Sequence, residues 1–154
     1  MATLMSIACS NIPKNDIECA AQGYLDAMGN YLPEEAIPYA TSFTREHTIP
    51  TIRQIITLSD TAYMNSNKPA TITIHSSRML SDTTAVVYYH KSTPIKEVDD
   101  SVAVVLEEGK WLVDFRMPYI PFLNVNKDSV NRQFAIEKRM LAKNPNALNL
   151  RHKK

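Results

Sequence analysis

The sequence predicts an α+β domain in which N-terminal helices pack on a curved antiparallel sheet of about four strands, with a C-terminal helical tail. Three observations carry that prediction. Apolar residues recur every three to four positions as far as Met64, the spacing of one buried helix face. From Thr71 the rhythm changes to strict alternation, the signature of half-buried strands. The 154 residues, 44% of them hydrophobic, supply one ordinary core and are too few for two.

The first helix is expected from Asn15 or Asp16, with Glu18 placed as a capping-box partner of Asn15. Ile17, Ala20, Ala21, Tyr24, Leu25 and Met28 form its apolar face, and Gly29-Asn30 offers a left-handed exit. A short helix begins at Pro33, favoured by Glu34 and Glu35, and is expected to stop at Pro38. A third runs from about Pro50 to Met64, with Ile52, Ile55, Ile56, Ser59, Ala62 and Tyr63 on one side, and ends in Asn65-Ser66-Asn67-Lys68-Pro69.

Strands follow at Thr71 to His75, Thr83 to Lys91, Ser101 to Leu106 and Trp111 to Met117. The run Val86-Val87-Tyr88-Tyr89 reads as a central strand covered on both faces. Glu107-Glu108-Gly109-Lys110 reads as a hairpin turn in which Gly109 takes positive φ. In the last strand Trp111, Val113 and Phe115 share one face, and Leu112, Asp114 and Arg116 the other. Beyond Pro118, Tyr119-Ile120-Pro121-Phe122 is extended and apolar, and a final helix fits Asp128 to Lys143. The chain thus divides into 1–14, a signal-peptide remnant or tether; 15–118, the α+β domain; and 119–154, a basic tail.

Charge is uneven along the chain. Residues 1–118 hold nine Lys/Arg against fourteen Asp/Glu, and residues 119–154 hold eight against two. The tail, with Lys138, Arg139, Lys143, Arg151, Lys153 and Lys154, either meets an acidic partner, anionic lipid or nucleic acid, or is a solvated helix. Its charges are too dispersed to form a dense run, which favours the solvated helix, and nucleic acid is the least expected partner. With three glycines in all, the chain lacks material for a phosphate-cradling loop, and no cofactor is expected. Four histidines without ligand spacing give no metal motif.

Met1 to Ser10, MATLMSIACS, is similar to the end of a bacterial lipoprotein signal peptide, with Cys9 as the lipidation site and Ser10 to Asn15 as tether. No Lys or Arg precedes Cys9, and Ser6 stands where such signals carry leucine. The alternative is an ordinary apolar N-terminus of a cytoplasmic protein. Cys19, the other cysteine, reads as a small buried hydrophobe, although the count permits a Cys9–Cys19 bridge.

Three helices and then a four-strand meander, closing on Glu108-Gly109-Lys110-Trp111-Leu112-Val113-Asp114-Phe115, resemble the nuclear-transport-factor-two-like superfamily over about residues 15–117. Within it the chain resembles small uncharacterised bacterial envelope lipoproteins. The resemblance implies a cone-shaped domain, a cavity under the sheet, and a homodimer formed through the open sheet face. It is compatible with isomerase- or cyclase-like enzymes and with members that only bind. Tyr24, Tyr39, Tyr88 and His90 are the expected cavity residues. Asp114 and Asp26 both fall on faces turned from the cavity, so no base is expected there and no catalytic residue is assigned. The expectation is a non-catalytic domain of the cell envelope that binds a small apolar ligand or a protein. The alternatives are an isomerase- or cyclase-like enzyme using Tyr88 and His90, or an interaction module acting through the tail.

Overall fold

Asn15 caps the first helix as its position in the sequence demands. The computed structural model describes residues 15–116, together with Arg132, Ala135, Ile136, Arg139 and Lys143, which are helical and exposed. In α1 (Asp16–Gly29) the Asn15 side-chain oxygen accepts from the Glu18 amide at 2.9 Å. The Glu18 carboxylate accepts from the Ser77 hydroxyl at 2.9 Å and ties the helix start to the sheet. At the other end the left-handed residue is Tyr31, at φ 60°, and not Gly29 or Asn30. Asn30 stays near the helical region (φ −103°) because its side chain is committed elsewhere. Its amide donates to the Asp26 and Ala70 carbonyls, and its oxygen accepts from the Ala70 amide, so the helix exit is fixed to the first strand.

α2 spans Pro33–Ala36, a single turn that ends before Pro38 as expected. The backbone tightens into a 3₁₀ turn over Ile37–Tyr39, whose opening positions need no donor from proline. The expected third helix divides in two. A helical segment capped by Thr41 passes through a π turn at Thr44–Thr48 into α3 (Ile49–Leu58). Ser59 is extended at ψ 154°, and Asp60 then caps α4 (Thr61–Ser66) by accepting from the Tyr63 amide at 2.9 Å. A short acidic side chain competing for backbone donors thus restarts the helix where apolar spacing alone runs on.

The sheet is an antiparallel meander of β1 (Thr71–Ser81), β2 (Thr84–Ser92), β3 (Glu97–Glu107) and β4 (Lys110–Val113), in that spatial order. β1 and β3 each reach 11 residues, longer than their alternation suggests. β4 stops at Val113, and Asp114 and Phe115 then bond to the Thr41 and Thr44 hydroxyls. The β3–β4 turn takes positive φ at both Glu108 (50°) and Gly109 (77°), the twist-matched geometry of a two-residue hairpin.

α1 touches all four strands, so the sheet curves around it as the wall of a cone. Ala85, Val87, Val102, Val104 and Val113 on the inner face are buried with Ile17, Ala21 and Tyr24 of α1. Each fully buried valine there contributes about 1.5–3 kcal/mol. The reading of β2 as covered on both sides does not hold. β2 is central, yet its outer face is open, with Tyr88 38% exposed. No described helix is long and apolar enough to cross a membrane.

Candidate functional site

Strand alternation decides what faces the cone. Val87 and Tyr89 of β2 point inward, so Tyr88 and His90 point outward. The expectation that Tyr88 and His90 line the cavity is therefore corrected: four consecutive apolar residues hid the alternation, and the pair sits on the opposite side of the sheet.

Beneath the inner face lies a cavity of about 150 Å³. Tyr24 and Met28 of α1, Ile52 of α3, and Ile72, Tyr89 and Val102 of the sheet form most of its wall. Among the described lining residues Lys91 is the one charged group, and none is a carboxylate. Tyr24 is 2% exposed, and its hydroxyl has no hydrogen-bond partner among the described residues. Burial, and then the neighbouring Tyr89, push the Tyr24 phenol far above its usual range. Burial followed by Asp100 does the same for Tyr89. Both phenols are therefore neutral donors at physiological pH and not bases. Tyr39 lies elsewhere, with its ring against Gly23 on another side of α1.

Asp100, paired with Tyr89 across β2 and β3, is the carboxylate that bears on that tyrosine, and it accepts from the Ser101 amide at 2.7 Å; Asp26 and Asp114 are engaged in structural contacts. Asp26 accepts from the Gln22 amide at 2.9 Å on the exposed side of α1. Asp114 accepts from the Thr41 hydroxyl at 2.9 Å and from Arg116, also at 2.9 Å. His47, on the π turn, packs its ring 4.7 Å from that of Phe43.

The outer face holds a cluster that sequence spacing did not reveal. His90 stands directly opposite Thr73 on one side and Asp99 on the other. Its Nδ1 lies 2.7 Å from Asp99 Oδ1, and its Nε2 contacts the Glu97 carboxylate. The Ser92 hydroxyl donates to the other Glu97 oxygen at 2.7 Å. His75, at a β-bulge between Ile74 and Ser76, brings its Nε2 to 3.8 Å from Asp99 Oδ1. His75 and Asp99 border an open depression of about 360 Å³. Hydrogen bonds to Asp99, and then to Glu97, raise the His90 pKa above its ordinary value. The visible signal was modest: Glu97 and Asp99 alternate with Val98, which marks one acidic strand face.

The chain is similar to an NTF-2-like protein. That solved structure, of unknown function and from Shewanella oneidensis MR-1, is 14% identical, with 66% of this chain and 94% of that chain covered at a TM-score of 0.47. No family model and no curated protein matches the chain.

Of the other sequence-assigned residues, Arg139 and Lys143 are exposed. Cys9, Lys138, Arg151, Lys153 and Lys154 lie outside the described residues, as does the Tyr119 to Phe122 segment. Cys19 is half-buried and disulfide-bonded, which replaces its reading as a small buried thiol. The sequence holds one other cysteine, Cys9. A bridge between these two cysteines and a thioether lipid on Cys9 exclude each other.

Proposed function

We propose that this chain is a non-catalytic domain that binds a small, mainly apolar ligand in the cavity between α1 and the sheet. The observation that carries this reading is Tyr24, which lines an apolar cavity and whose buried hydroxyl lacks a partner among the described residues. Leaving such a group unpaired costs about 1–3 kcal/mol, and a ligand acceptor placed against it recovers that cost. A volume of about 150 Å³ suits one six-membered ring with a single polar substituent. None of the described lining residues is a carboxylate, which together with the neutral tyrosines supports binding over proton transfer.

An envelope location fits this reading, because a disulfide persists where the surroundings are oxidising. Anchorage through a lipid on Cys9 would require Cys19 to pair with a cysteine other than Cys9.

Titration of isotope-labelled protein with cyclohexanone, followed by amide NMR, tests the proposal. Shifts should gather at Tyr24, Met28, Tyr89 and Val102, with saturation in the millimolar range or below. Unshifted amides at those positions would reject it.

A further inference from the structure

We propose that His75, His90 and Asp99 on the outer face of the sheet form a binding site for a divalent transition cation, with zinc as the ion its donors suit best. Three adjacent strands contribute one residue each, and one donor atom from each lies within 4.8 Å of the others. The arrangement follows from register. His90 and Asp99 are directly paired across β2 and β3, and the β1 bulge sets His75 beside them. The His75 and His90 ring centroids are 6.2 Å apart.

The distances suit a small ion. Two ligands on a tetrahedral zinc at about 2.0–2.1 Å stand about 3.3 Å apart. The separations here are 2.7 Å for His90 Nδ1 to Asp99 Oδ1 and 3.8 Å for His75 Nε2 to Asp99 Oδ1, on either side of that figure. The third separation, between His75 and His90, is no longer than 4.8 Å, so rotation of these side chains, with the strands held in register, brings the donors to that spacing.

A supporting shell is already in place. Glu97 contacts His90 Nε2 and is itself held by the Ser92 hydroxyl. With the Nε2 proton kept toward Glu97, the ion would take the place of the proton now shared between His90 Nδ1 and Asp99 Oδ1. That is the carboxylate–histidine arrangement that orients and strengthens imidazole ligands. Two imidazoles and one carboxylate are donors suited to zinc and poorly suited to calcium or magnesium. Three protein ligands leave the fourth position to water from the adjoining open depression.

Zinc chloride added to the chelator-stripped full chain and followed by calorimetry decides the matter. One equivalent is expected to bind at micromolar concentration or below. His75→Ala and His90→Ala should each weaken binding at least a hundredfold, and Glu97→Gln about tenfold to a hundredfold. His47→Ala, on the distant π turn, should leave it unchanged. Far-UV circular dichroism checks each fold, and His75, the more exposed of the two, keeps the test valid should His90→Ala unfold. No binding below millimolar zinc, or binding indifferent to His75→Ala, would overturn the proposal.

Discussion

The Glu107 carboxylate closes on Ser42, accepting from the Ser42 hydroxyl at 2.7 Å and from the Ser42 amide at 3.0 Å. This contact joins the end of β3 to the start of the helical segment capped by Thr41. A carboxylate there is favourable for two reasons: it satisfies an end-of-helix donor, and it faces the positive end of the helix dipole. These bonds hold the Glu107 pKa below its ordinary value, the hydroxyl first and the amide second.

The pH dependence of stability follows in sign. A carboxyl group whose folded pKa is lowered stabilises the fold above its unfolded value, here 4.5. That contribution is lost as pH falls through the lowered folded value. Replacing Glu107 by Gln should lower the Tm near neutral pH and shrink the further loss between about pH 6 and about pH 3. Parallel melting curves for the two proteins across that range would contradict the assignment.

Gly23→Ala should destabilise the domain although alanine is the better helix former by about 1 kcal/mol. A Cβ at Gly23 would sit 2.3 Å from the Tyr39 ring, so the ring must leave its place. The net loss expected is about 1–2 kcal/mol by urea denaturation. In a Tyr39→Ala background the same change should be neutral or stabilising. Equal losses in both backgrounds would exclude the ring as the cause.

Tyr24→Phe removes a buried hydroxyl with no described partner and keeps the ring that fills the core. Without ligand, stability should be unchanged or should rise by about 1 kcal/mol. A fall of more than about 1 kcal/mol would mean that the hydroxyl is already satisfied in the free protein.

The disulfide at Cys19 predicts a mass shift on reduction. In a non-reducing digest of the natively produced protein, the Cys19 peptide should remain joined to a second cysteine peptide and separate on reduction. Alkylation of Cys19 before reduction would contradict the bridge.

How far the sequence foretold this structure depended on how local each feature is. α1 was legible because Asn15 and six apolar positions act within one helix. The β3–β4 hairpin was legible because a two-residue turn needs positive φ and Gly109 provides it. The division between α3 and α4 was hidden, since apolar spacing continues through Tyr63 while Asp60 turns its side chain to the backbone. Tyr88 and His90 were misplaced because Val86 to Tyr89 are all apolar and conceal the two-residue alternation. The His75–His90–Asp99 cluster depends on the register of three strands and on a bulge at one of them. Neither is written in local spacing, so residues 24 positions apart could not be paired in advance.

The most direct test compares cyclohexanone with methylcyclohexane, titrated by NMR into the unaltered domain and into Tyr24→Phe. The two molecules share size and shape, but only the ketone can accept from the Tyr24 hydroxyl. The ketone is predicted to bind more tightly in the unaltered domain and to weaken about tenfold in Tyr24→Phe, while the hydrocarbon binds both proteins alike. Equal ketone affinity for the two proteins, or no occupation of the pocket by either molecule, would contradict it.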